Sequence, residues 1–213
     1  ELTIEQKREV IQAYYASTTL MDACLGRVLD ALDRLNLTDN TIVVFISDHG
    51  YHLGHKGLWQ KSDLFEGSAR VPMIISVPGM KKAGQSTASL AELVDLYPTL
   101  SELCNLPKPT HLKGQSLVKV LNEPEATVRE AAFTVTRIRK RMPGQKKREQ
   151  LLGHTVRTKR YRYTEWADRK HGIELYDYDD DPEEITNLAK SASHKDVLKR
   201  MQTLMQSTRN HTK

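Results

Sequence analysis

The sequence predicts a layered α/β domain followed by a smaller antiparallel sheet with a closing helix. Three observations carry this. Two continuous apolar runs, TIVVFIS (residues 41–47) and VPMIISVPG (71–79), lie between helical stretches; strands apolar on both faces belong inside sheets covered by helices on both sides. After a basic stretch (residues 137–150), HTVRTKRYRYTEW (residues 154–166) alternates and carries β-branched and aromatic residues, which suits antiparallel strands with one wet face. Near the end, residues 194–207 place Val197, Leu198, Met201, Leu204 and Met205 on one helical face.

The elements follow in order. Residues 3–35 read as one long helix. Thr3 and Gln6 form a capping-box pair, in which the threonine oxygen accepts the Gln6 backbone N–H. Val10, Ile11, Tyr14, Met21, Cys24, Leu25, Val28, Leu29, Leu32 and Leu35 then recur at helical spacing as a core-facing stripe, with Cys24 read as core. Residues 36–40 turn the chain into the first buried strand. Residues 88–103 are expected to be helical, with a break or kink at Pro98. AAFTVTR (131–137) is expected as a strand. The basic stretch RIRKRMPGQKKREQ that follows reads as an exposed, flexible loop around Pro143 and Gly144, with a polyanion site as the alternative. The domain boundary is placed here, so that residues 1–142 form the α/β part and residues 143–213 the antiparallel part. HTVRTKRYRYTEW and ELYDYDDDPEEITNLA supply the strands and an acidic turn of the latter.

Bulk properties narrow the function classes. A hydrophobic content of 38 % is lean but not that of a disordered chain. A net charge of +5 is mild, and no nucleic-acid partner is expected from it. No apolar run is long enough to span a membrane, and no membrane partner is expected. ELTIEQKREV is not a signal peptide; it looks like the start of a helix and suggests a chain that begins mid-protein. Cys24 and Cys104 are the only cysteines, and no CxxC metal spacing is present.

The chemistry-bearing residues lie where the first apolar strand ends. Ser47, Asp48, His49 and Gly50 follow it directly, and Tyr51, His52, His55 and Lys61 come next. In open α/β sheets, ligands bind beyond the carboxyl ends of strands. A carboxylate beside an imidazole is half of a divalent metal site, with hard oxygen from Asp48 and nitrogen from His49. Lys61 supplies a point positive charge suited to an oxyanion. The same Asp–His pair is also what an ordinary Asx turn contains. His52 and His55 continue an every-third-residue spacing that invites a three-histidine zinc site, but the intervening glycines disfavour the regular helix that would bring the rings together.

Beyond these residues, NTIVVFISDHGYHLGHKGLWQKSDLFEGSARVPMIISVPG resembles the C-terminal conserved region of the type I, formylglycine-dependent sulfatases of the alkaline phosphatase superfamily. The iduronate-2-sulfatase and choline-sulfatase-like branch is the most similar. AYYASTTLMDACLGRVLDAL is similar to the helix that precedes the site in this family. ELVDLYPTLSELCNL and LKGQSL resemble the segments after it, and VRTKRYRYTEW with ELYDYDDDPEEITNLA resembles its small C-terminal subdomain. The resemblance implies the C-terminal part of an alkaline-phosphatase-like layered α/β sulfatase domain, followed by a small antiparallel-sheet-plus-helix subdomain.

It implies roles as well. Asp48 and His49 match a pair of metal ligands, for calcium or, alternatively, magnesium. Lys61 matches the catalytic lysine that contacts the sulfate and the bridging ester oxygen. Tyr51 stands where relatives often carry Trp, and a substrate contact is expected there. Where relatives commonly read LGEHG, this chain has Leu53-Gly54-His55-Lys56-Gly57, which adds positive charge. The implied substrate is a sulfate ester, with a sulfated carbohydrate as a candidate. Formylglycine is made in a C/S-x-P/A-x-R motif. Cys24 and Cys104 both fail it, and Ser76-Val77-Pro78-Gly79-Met80 lacks only the arginine. The family's first Asp-Asp metal pair has no counterpart either. The chain therefore looks like the C-terminal half of a sulfatase, partnered by the N-terminal half of the same protein. Alone it is expected to be inactive and to have an incomplete core, and so either to self-associate or to have rearranged elements such as a displaced first helix. The alternatives are a phosphodiesterase or phosphonate hydrolase of the same superfamily, and a non-catalytic domain binding polyanions through Arg137–Arg148. Relatives are mostly periplasmic, secreted or lysosomal.

Overall fold

The computed structural model describes residues 2–61, 63–141 and 148–211. The chain divides into two compact units: residues 1–61 with 66–81, and residues 62–65 with 82–213.

The first unit opens with helix α1, Ile4–Arg34. Its start is the capping box read from the sequence: Gln6 N donates to Thr3 Oγ1 at 3.2 Å and Thr3 N donates to Gln6 Oε1 at 2.9 Å. The expected core-facing stripe is corrected. No residue of α1 is buried, and Leu20 and Val28 are 66 % and 60 % exposed. Only a narrow line that includes Ile11, Leu25 and Leu32 is half-covered. Cys24, read as core, lies on the flank of that line and is exposed.

Strand β1, Val43–Ile46, pairs antiparallel with β4, Met73–Ser76, from Val43↔Ser76 to Ile46↔Met73. These are the two apolar runs, but they form a two-stranded sheet rather than the middle of a layered one. Neither strand has another pairing neighbour among the described residues, so Ile46 and Ile74 stay 39 % and 60 % exposed. Between them lie a short hairpin of β2, His52–Leu53, and β3, Trp59–Gln60, and one helical turn, α2, Glu66–Ala69.

The second unit contains α3, Leu96–Leu103, and α4, Val118–Asn122. Its sheet has the order β5-β6-β7-β8, all antiparallel: β5 is Ala132–Arg141, β6 Arg148–Arg157, β7 Tyr161–Trp166 and β8 Ile173–Asp177. Helix α5, Lys195–His211, closes one face. Val156, Tyr163, Leu175 and Met205 are fully buried there, with Ala131 and Met201 beside them. Pro98 does not kink a long helix. The α-helix begins only at Leu96, after a turn of 3-10 helix at Leu93–Asp95. Pro98 therefore falls in the first α turn, where no intrahelical N–H bond is forfeited.

Buried ions fasten the loops of this unit. Asp95, wholly buried, accepts from Glu92 N and Gln115 N, each at 2.8 Å, and pairs with Arg129. Arg129 also reaches Glu92 at 2.9 Å. Burial raises the Glu92 carboxyl above its ordinary range despite that guanidinium. Arg162 and Glu184 pair at 2.8 Å with both side chains buried, and the Tyr178 hydroxyl donates to Glu184 at 2.6 Å.

The basic stretch is largely strand rather than loop. Arg137 to Arg141 continue β5 and pair with Leu152 back to Arg148 in unbroken register. The boundary expected between residues 142 and 143, and the turn around Pro143 and Gly144, lie outside the described residues. The strands on either side belong to one sheet and one unit.

Candidate functional site

The site is built from the loop that follows β1. Ser47 Oγ donates to the His49 carbonyl at 2.7 Å, and Asp48 Oδ1 accepts from His49 N at 3.0 Å. These local bonds turn the chain as soon as the strand ends. Gly50 N then donates to Ser68 O at 2.9 Å, pinning the loop to α2. A Cβ on Gly50 would stand 2.0 Å from the Gly67 carbonyl oxygen, and one on Gly67 would stand 2.5 Å from His52 Cε1. Both glycines are required by close approach, and their contact sets how far the loop projects.

The β2–β3 hairpin brings Lys61 back to the start of the loop, where its Nζ lies 2.7 Å from His49 Nε2. Asp48 Oδ2 lies 3.3 Å from the same nitrogen. His49 Nδ1 is 2.8 Å from the Gly50 carbonyl, which can only accept, so the proton sits on Nδ1 and the Nε2 lone pair is left outward. A carboxylate oxygen and an imidazole lone pair thus face one another, an arrangement that a cation between or beside them relieves. The Lys61 ammonium is one such cation. The donor set also fits a divalent metal, with one hard oxygen and one nitrogen, and the Asp48 side chain is 82 % exposed and reachable. Among the described residues no group of three or more His, Cys, Asp and Glu side chains could hold a metal ion.

The other candidates are placed as follows. Tyr51 is half-buried, and its ring rests against Tyr14 of α1, with centroids 5.1 Å apart at 33°. His52 is buried at 2 % exposure, whereas His55 is exposed on a 3-10 turn at His55–Gly57. Their ring centroids are 6.4 Å apart. The structure brings Asp48, His49 and Lys61 together and leaves Tyr51 against the helix. Two features went unread in the sequence: the Gly50 carbonyl that sets the His49 tautomer, and the buried Glu92–Asp95–Arg129 cluster. The second had a signal, since Glu92 and Asp95 form a capping box at the 3-10 turn.

Comparison with known proteins gives a consistent result. Residues 2–106 match the family model described as Sulfatase. The chain is 31 % identical to the iduronate 2-sulfatase of Mus musculus over 90 % of its own length and 46 % of that protein's. A structure solved in complex with its substrate D-glucosamine-2-N,6-O-disulfate superposes with a TM-score of 0.86 at 27 % identity, covering 97 % of this chain and 41 % of that one. The phosphonate monoester hydrolase of Agrobacterium radiobacter superposes with a TM-score of 0.83 at 28 % identity, covering 98 % and 43 %. The chain therefore spans less than half the length of each of these proteins.

Proposed function

Residues 2–106 of this chain belong to the sulfatase family, and on that premise we propose that the chain is the portion of a sulfuric ester hydrolase that supplies two metal ligands, Asp48 and His49, and a sulfate-binding lysine, Lys61. The supporting observation is the convergence of three side chains at one strand end: Asp48 Oδ2 at 3.3 Å and Lys61 Nζ at 2.7 Å from His49 Nε2. The proposed substrate class is a sulfated carbohydrate, in keeping with the iduronate 2-sulfatase and the glucosamine disulfate complex among the similar proteins.

Cleaving a sulfate ester builds negative charge on the sulfuryl oxygens and on the leaving oxygen, and fixed positive charge aimed at those atoms lowers the barrier. Lys61 provides a compact ammonium with three donors. His49 holds it by Nε2 until an anion competes for it, and the Gly50 carbonyl holds His49. A bound calcium or magnesium would supply further neutralisation of the sulfuryl oxygens, and formylglycine, which the resemblance implies for the intact enzyme, would supply the attacking oxygen. Asp48, whose Oδ1 is engaged by the His49 amide, keeps Oδ2 free to hold that cation beside His49. Tyr51, braced by Tyr14, offers an aromatic face for a sugar ring.

A phosphonate or phosphate-ester hydrolase is the second reading, favoured by the superposition with a phosphonate monoester hydrolase. It makes the same demand for positive charge. Metal content and turnover of the intact protein test both. Asp48→Ala is expected to lower bound metal and turnover together, and Lys61→Ala to cut turnover by about a hundredfold or more with metal retained. Normal turnover in either variant removes that residue from the site. Faster turnover of phosphonate than of sulfate esters selects the second reading.

A further inference from the structure

The β5–β6 pair runs past the rest of its sheet. β7 stays in register with β6 only as far as Trp166↔Gly153. It then turns away through three successive left-handed residues, Ala167, Asp168 and Arg169, with φ of 48°, 53° and 75°. Residues 137–141 and 148–152 therefore form a two-stranded ribbon beyond the sheet. Side chains alternate along each strand, and directly paired residues share a face. Arg137 and Arg139 of β5 and Arg148, Gln150 and Leu152 of β6 accordingly lie on one face, and all five are exposed. Glu149 lies on the other face, 3.9 Å from His171. Among the described residues of the ribbon, the first face thus carries cations without an acid.

We infer that this face of the ribbon is a docking surface for a sulfated polysaccharide, held by Arg137, Arg139 and Arg148. Alternate strand positions are about 6.8 Å apart, so the guanidiniums form a row rather than one point charge. Each can grip an anionic oxygen pair bidentately. Edge protection alone accepts charge of either sign on either face; here the acid is segregated away. Single-stranded nucleic acid is disfavoured because, among the described residues, the face has no aromatic side chain on which a base could stack. The choice of a sulfated glycan rests on the sulfatase reading above, but the surface is separate in sequence from Asp48, His49 and Lys61.

The test is retention of the full 213-residue chain on immobilised heparin in a salt gradient, together with heparin affinity measured as a function of salt. Substituting Arg137→Gln, Arg139→Gln and Arg148→Gln together is expected to lower the eluting salt, and to reduce the slope of log affinity against log salt by about two. A charge-matched control, Lys81→Gln, Lys82→Gln and Lys195→Gln, is expected to shift it far less, and Lys61→Ala, which removes a single cation at the strand-end loop, less than the ribbon variant. Far-ultraviolet circular dichroism checks that each variant is folded. Unchanged retention of the ribbon variant, equal loss in the control, or equal retention on desulfated heparin overturns the proposal. So does tighter binding to duplex DNA than to heparin through the same arginines. If only Lys61→Ala loses retention, the polyanion sits at the strand-end loop; the ribbon proposal then falls while the sulfatase reading stands.

Discussion

The two units differ in how they bury their apolar residues. In the second, one sheet face and α5 enclose Val156, Tyr163, Leu175, Met201 and Met205 at no more than 1 % exposure. In the first, a 31-residue helix buries nothing, and the β1–β4 pair leaves Ile46 and Ile74 in solvent. The residues with chemistry, Asp48, His49 and Lys61, all belong to the unit without a closed core. A segment of matching secondary structure is thus not the same as a stable unit. The antiparallel sheet carries its own stabilisation, whereas the site-bearing region holds its local geometry through hydrogen bonds and glycine contacts.

The largest effect separating the two should come from truncating one leucine in each. Leu175→Ala removes a fully buried side chain between the sheet and α5 and should cost about 2–5 kcal/mol. Leu20→Ala on α1 removes one that is 66 % exposed and should change stability by no more than about 0.5 kcal/mol. Denaturant unfolding followed by circular dichroism checks both. Similar losses would mean that α1 is buried in solution, for instance by self-association, which sedimentation at several concentrations would reveal.

Local signals in the sequence proved legible and distant ones did not. The Thr3–Gln6 box could be read because both partners lie within one turn. The burial of α1 could not, because periodicity shows which side chains would share a face and not whether anything covers it. Pro98 was misplaced because the helix was read from residue 88; the Glu92–Asp95 box shows that helical structure begins later. The β5–β6 ribbon passed for a loop because an exposed two-stranded arm can be as charged as a loop. At the site, Asp48 and Lys61 could be named from their positions around a strand end and from the family resemblance. The Gly50–Gly67 approach depends on α2 folding back across the loop, and no spacing in the sequence encodes that.

A smaller effect would sharpen the contrast within the closed unit. His154 is buried in β6, stacked on Phe133 with centroids 5.8 Å apart, and burial, reinforced by Arg209, pushes its imidazole below the ordinary value. Asp168 and Glu165 offset part of that shift. The unfolded chain therefore binds a proton that the folded chain refuses. Stability should hold above the ordinary histidine range and fall as pH drops through it toward the lowered folded value. Melting temperatures between neutral and mildly acidic pH should show this fall, and it should be shallower in His154→Gln. An identical pH dependence in that variant would assign the effect elsewhere.

On the proposed function, Asp48, His49 and Lys61 supply only one side of a charge-neutralising site, and this chain alone does not turn over a sulfate ester. Sulfate release from an aryl sulfate by the 213-residue chain, in excess calcium, tests it most directly. The expected result is no turnover above that of the Lys61→Ala chain. Turnover that is clearly present and vanishes in Lys61→Ala would contradict the claim and show that the chain holds a complete site.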